Sequence, residues 1–131
     1  MWSLTKLDGE QMYQWRRGRY RGPGRPMKPR WLGIRPTPLT FMPFAGPGGQ
    51  PIPAREPVYR TYDEYEAFRL IYHEGLSQEE AAQRMRVSRG TVWRCLESAR
   101  NKIACALVER RPLVIAPAPP AGEKSEASDS L

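Results

Sequence analysis

Leu76-Ser77-Gln78-Glu79-Glu80-Ala81-Ala82-Gln83-Arg84-Met85-Arg86-Val87-Ser88-Arg89-Gly90-Thr91-Val92-Trp93-Arg94 decides the fold, because it reads as two short helices joined by a tight turn. Ser77 is placed to cap the first helix, with Glu80 three residues on completing a capping box, and Ser88 is placed to cap a second helix that begins after Val87. Between the caps, Ala81, Ala82 and Met85 make an apolar stripe. Small alanines there let the second helix cross closely over the first, as a pair joined by a short turn requires.

Upstream, Thr61-Tyr62-Asp63-Glu64 forms another capping box, opening a helix expected to run to about Glu74, with Gly75 placed to end it in the left-handed conformation. Ala67, Leu70 and Ile71 should face the core. Downstream, the helix after Ser88 is free to continue to Glu109 or Arg110, since Pro112 is the first residue that forbids it. Val92, Leu96, Ala99, Ile103, Ala106 and Leu107 fall on one expected core face, leaving Gly90, Arg94, Glu97, Asn101 and Cys105 near the opposite one. Leu113-Val114-Ile115 is a candidate short strand.

The flanks have another character. Residues 1–26 are polar, basic and aromatic, with little to bury, and are expected to be a disordered basic arm. Within it Gly24-Arg25-Pro26, followed by Lys28 and Arg30, resembles the core of an AT-hook, which lies in a narrow minor groove, but Pro23 stands where a second arginine usually precedes the glycine, so a plain electrostatic arm is the preferred reading. Residues 27–60 mix apolar side chains with prolines at 36, 38, 43, 47, 51, 53 and 57, which argue against helix and central strand alike. An irregular Pro-rich strap packed on the helices is expected there, with Leu39 to Met42 briefly extended. Residues 112–131 should be a short strand followed by a disordered tail. The expected architecture is therefore all-α: a small helical domain over residues 61–111, carried behind a strap and an arm.

The net charge of +7 sits in the N-terminal half, where residues 1–60 hold 11 Lys/Arg against 3 Asp/Glu. A basic segment beside a nearly neutral domain suits a polyanion, and a solvated tail without a specific ligand is the bland alternative. Met1 to Tyr20 lacks the apolar run of a signal peptide, and Pro36 to Ala54, the longest uncharged stretch, carries six prolines and three glycines. A soluble cytoplasmic protein with no membrane partner is expected. Cys95 and Cys105, about 15 Å apart along one helix, read as free thiols. Two cysteines and the lone His73 fall short of a zinc ligand set, and no phosphate loop or base-paired nucleophile is present. No cofactor, metal or catalytic activity is expected.

A recognition helix reads base edges with side chains from its first turns, while its N-terminal amides and nearby cations hold phosphate. That geometry selects Ser88, Arg89, Gly90, Thr91, Trp93 and Arg94. Arg94, opposite Val92, is placed to fork onto guanine O6 and N7. Arg89 and Ser88, at the helix start, suit a phosphate oxygen, and Gln78 a backbone contact. Thr91 offers hydroxyl or methyl to a base, Gly90 permits close approach, and Trp93, at the margin of the apolar face, is expected to pack in the core rather than meet the base. Arg25, Lys28 and Arg30 would supply the arm's cations.

Residues from about Arg25 to Ile115 resemble the small prokaryotic proteins grouped as domain-of-unknown-function family 134 (UPF0251). The resemblance rests on Arg25-Pro26-Met27-Lys28-Pro29-Arg30, Asp63-Glu64-Tyr65-Glu66-Ala67-Phe68-Arg69-Leu70, Glu74-Gly75-Leu76-Ser77-Gln78-Glu79-Glu80-Ala81-Ala82, Val87-Ser88-Arg89-Gly90-Thr91 and Ala99-Arg100-Asn101-Lys102-Ile103-Ala104-Cys105-Ala106-Leu107. Gly75 to Lys102 is similar also to region four of sigma factors, whose helix-turn-helix reads promoter DNA. The resemblance implies a winged-helix-like DNA-binding protein with the helix after Ser88 inserted in the major groove. Arg86 stands where this pattern usually has glycine, and an exposed arginine at that corner would be placed for a phosphate contact. Trp31 to Arg60 lacks the cysteines that family members often carry, consistent with no metal.

These observations favour sequence-specific binding of double-stranded DNA by a prokaryotic transcriptional regulator. The alternative is a protein-interaction module that contacts RNA polymerase or another partner, its arm adding only non-specific nucleic-acid affinity. A third reading has the aromatic arm bind single strands. The spacing along the last helix keeps a homodimer open.

Overall fold

The computed structural model describes residues 2–7, 10–16, 28–53 and 55–117. Their order is β1 (Trp2–Leu7), β2 (Glu10–Trp15), β3 (Arg30–Leu32), β4 (Leu39–Phe41), β5 (Val58–Arg60), α1 (Tyr62–Phe68), a π-helical turn (Arg69–His73), α2 (Gln78–Met85), α3 (Arg89–Glu109) and β6 (Leu113–Ile115). The fold is α+β, which corrects the all-α expectation. Two three-stranded sheets flank the helices, in the orders β1-β2-β3 and β4-β6-β5.

The three helices begin directly after Thr61, Ser77 and Ser88, the expected capping residues. Thr61 N–H donates to Glu64 Oε1 at 2.9 Å, Ser77 Oγ accepts from Glu80 N–H at 3.1 Å, and Ser88 Oγ accepts from Thr91 N–H at 3.1 Å. The α1 path widens into the π turn, where Glu74 N–H reaches the Arg69 carbonyl, and Gly75 ends it at φ +78°. Ala67, Leu70, Ala81, Ala82, Met85, Val92 and Cys95 form one buried cluster, joined at its edge by Ile71, Leu76 and Val87. Small alanines thus seat α2 against α3 as their spacing suggested.

The strands explain where the all-α reading failed. Each strand of the second sheet is three residues long and begins directly after a proline: Leu39 after Pro38, Val58 after Pro57 and Leu113 after Pro112. Proline deprives a ladder of a donor only at its own position, so three-residue strands fit between prolines. The two strands from the strap, β4 and β5, are the sheet edges, and β6 lies between them, antiparallel to β4 and parallel to β5. β5 and β6 bracket the helices, and Val58 N–H donates to the Pro112 carbonyl at 2.8 Å.

The expected disordered arm is overturned at residues 2–7 and 10–15. These pair antiparallel, Trp2 facing Trp15 and Leu7 facing Glu10, and β2 continues onto β3 with Tyr13 opposite Leu32 and Trp15 opposite Arg30. Trp15 is 2% exposed and packs with Leu32, Tyr62 and Ile115 in a second buried cluster. Its ring meets that of Tyr62 edge-on, with centroids 5.5 Å apart. The aromatic residues near the N-terminus therefore include core. The AT-hook-like Gly24-Arg25-Pro26 and the tail from residue 118 lie outside the described residues.

One further side-chain expectation changes. Leu107, expected in the core, is 76% exposed beside Val108 at 81%, whereas Cys95 is buried. Among the described residues no helix is long and apolar enough to cross a membrane.

Candidate nucleic-acid interface

Arg86 ends α2 at φ 58° and ψ 45°, the left-handed conformation that usually takes glycine at a helix C-cap. A non-glycine residue pays about 1 to 2 kcal/mol there. Its N–H donates to the Ala82 and Gln83 carbonyls, closing the helix, and its guanidinium lies over the Trp31 ring, 5.4 Å from the centroid. That contact offsets part of the cost and ties the corner to β3. The turn keeps its geometry without glycine.

After the turn, Ser88, Arg89 and Gly90 are exposed, and Val92 is fully buried beneath them. Ser88 Oγ lies 2.9 Å from Thr91 Oγ1, and Arg94 Nη2 donates to the same hydroxyl at 3.3 Å. The cap, the hydroxyl and the guanidinium thus form one chain of hydrogen bonds on the solvent side of the first turns of α3. Arg89 makes no ion pair among the described residues and stays available to an anion. Trp93 is 50% exposed, so its indole is a surface group and not core. A Cβ on Gly90 would meet nothing closer than Arg94 Nη1 at 3.6 Å, so only an incoming partner would require glycine there. Gln78 is half-buried at the start of α2.

The expected arm cations divide. Lys28 is exposed, and Arg25 lies outside the described residues. Arg30 is corrected: it sits on β3, 7% exposed, with Nε 3.1 Å from Asp63 Oδ2. It is a structural cation. Asp63 Oδ1 also accepts from Thr61 Oγ1 at 2.6 Å and from Glu64 N–H at 2.9 Å.

A parallel bond lies one helical turn along. Gly33 N–H donates to Glu66 Oε2 at 2.8 Å, and Arg69 holds both oxygens of Glu66, Nε to Oε1 at 2.8 Å and Nη2 to Oε2 at 2.9 Å. That fork, the largest influence on it, raises the pKa of the Arg69 guanidinium. A Cβ at Gly33 would stand 2.9 Å from Arg69 Nη2, so any other residue would displace that guanidinium from its place on Glu66. Arg30 and Gly33, three residues apart, therefore grip Asp63 and Glu66, three apart on one face of α1. The matched spacing was visible in the sequence, but nothing there distinguished it from surface charge. Sequence reading also passed over Arg84, an exposed cation on α2 with no ion pair among the described residues.

Comparison with known proteins places this arrangement in a family. A family model described as a protein of unknown function, DUF134, matches residues 17–119. The chain belongs to the DUF134 family. The UPF0251 protein of Thermococcus kodakarensis is 54% identical over 88 residues, covering 67% of this chain and 75% of its own length. The UPF0251 protein of Pyrococcus furiosus is 48% identical over 106 residues, covering 81% of this chain and 90% of its own. No solved structure matches this DUF134 chain. The match begins beyond β1 and β2, so the hairpin of residues 2–15 is outside the family model.

Proposed function

We propose that the chain binds double-stranded DNA in a sequence-specific manner and acts in the cytoplasm as a transcriptional regulator, with α2 and α3 working as a helix-turn-helix. The observation that carries this reading is the hydrogen-bonded row Ser88, Thr91 and Arg94 on the exposed first turns of α3, with Arg89 uncommitted beside it. Arg94 is positioned for a guanine edge, and Arg89 and the amides after Ser88 for phosphate. Arg84, beside the turn on α2, and Lys28 add cations for the backbone. The reading assigns no catalysis: its chemistry is charge and hydrogen-bond recognition.

Selection of bound sequences from a random DNA pool, followed by band shifts across a salt series, tests the proposal. One enriched motif with salt-weakened affinity supports it, and equal binding of all sequences sinks it. Half-sites about one helical turn apart would report a two-fold pair of chains.

Trp93 supports a second reading, contact with RNA polymerase or another protein. An indole half in water at the edge of a helical face is a common interface anchor. Loss of polymerase association in Trp93→Ala with DNA affinity unchanged would favour it.

A further inference from the structure

The far end of α3 carries a feature that DNA recognition does not use. Phe41, Met42 and Phe44 from the strap and Leu107 from α3 are between 45% and 76% exposed and line one groove. Its cavity volume is about 670 Å³, and Ala99, Ile103 and Ala106 of α3 lie along it. Four large apolar side chains held open around one concavity are costly to leave in water, and the volume falls in the range of small-molecule sites.

The charge at the groove is one-sided. Arg60, Arg110 and Arg111 line it, and among the described residues no aspartate or glutamate does. Arg60 is committed to Ser98 and to Glu64, 3.6 Å away, and Arg111 to Glu109 at 3.1 Å and to the Glu56 carbonyl at 2.7 Å. Arg110 is exposed and makes no ion pair among the described residues. One uncommitted cation beside an apolar trough matches a ligand with one negative charge and an apolar body.

We infer that this groove binds an amphipathic carboxylate, aliphatic or aromatic, with its body along Ile103 and Phe44 and its head group on the Arg110 guanidinium. The planar fork of arginine takes both oxygens of a carboxylate. The site is independent of the DNA reading, since its occupancy is measured without DNA.

Calorimetric titration of the full chain with decanoate, decanol and decyltrimethylammonium, each below its solubility or micelle limit, tests the assignment. Decanoate should bind at least about tenfold more tightly than decanol, the increment expected of a charge-assisted hydrogen bond, and the cation more weakly still. Arg110→Gln should bring decanoate to the level of decanol and leave decanol unchanged. Leu107→Asp, at an exposed position where the fold tolerates charge, should weaken both, with circular dichroism checking the fold. Equal binding of acid and alcohol, an Arg110→Gln variant with wild-type preference, or no decanoate binding would each overturn the inference. So would a wild-type dimer that Leu107→Asp makes monomeric while decanoate fails to bind, which would assign the groove to a second copy of the chain.

Discussion

The Arg86 guanidinium lies over the Trp31 ring at 5.4 Å from its centroid, joining the left-handed corner between α2 and α3 to β3. The contact makes a strained non-glycine residue useful: it anchors the turn that sets where α3 begins. It also occupies the cation that sequence reading offered to a phosphate.

Arg86 is therefore expected to respond differently to its two simplest replacements. Arg86→Ala keeps the left-handed cost and loses the aromatic contact, and should destabilise by about 0.5 to 1 kcal/mol. Arg86→Gly loses the same contact but relieves about 1 kcal/mol of backbone cost, and should stay near wild type. Urea denaturation of both variants measures the order, and an alanine variant more stable than the glycine one contradicts the account.

Asp63 is fully buried against Arg30. Removing one partner of such a pair strands the other charge, so Asp63→Ala should cost about 3 to 5 kcal/mol. Replacing both partners, Arg30→Met with Asp63→Leu, should recover a large part of that loss. Equilibrium unfolding of the single and double variants checks both values. A loss under about 1 kcal/mol in the single variant would mean that Arg30 escapes to water.

At the exposed face, Arg94→Ala should cost about 1 to 3 kcal/mol of specific DNA binding and relax preference at one base position. Arg89→Ala should weaken all sequences alike and lower the salt slope by about one. Binding isotherms at several salt concentrations separate the two outcomes.

Tyr62 is buried against Trp15, and burial raises its phenol pKa above the ordinary value of 10.0. A raised folded-state value means that its contribution is fully present below pH about 10 and is lost as pH rises through the folded value. Tyrosinate absorbance should show the Tyr62 phenol titrating late, with stability falling over the same interval. Tyr62→Phe should remove both effects. A tyrosine spectrum in which every group titrates near 10 would contradict this.

Hydrogen exchange tests the N-terminal hairpin. Because Trp15 is buried with Leu32, Tyr62 and Ile115, truncation of residues 1–16 should destabilise the domain by several kcal/mol, as loss of a buried Trp side chain alone costs about 3 to 5 kcal/mol. Amides of β2 that pair with β3 should be protected from exchange. Wild-type stability after truncation would return these residues to the role of a dispensable arm.

Local chemistry makes α2 and α3 legible in the chain itself. Ser77 and Ser88 cap the helices, Pro112 and the left-handed Arg110 lie at the far end of α3, and the alanine stripe sets the packing face, each signal lying within a few residues of the element it shapes. The family resemblance is equally local, carried by short runs along that stretch. The sheets are not legible in this way, because a three-residue strand between prolines has no periodicity, and its meaning comes from a partner tens of residues away, as Val58 pairs with Leu113. Charge misleads for the same reason: Arg30 counts as an arm cation until the fold brings it to Asp63. Whether a basic side chain meets solvent, a carboxylate or an indole depends on what the chain folds against. The sequence by itself determined the helices and their order, and only tertiary packing decided which of its arginines remained at the surface to meet a ligand.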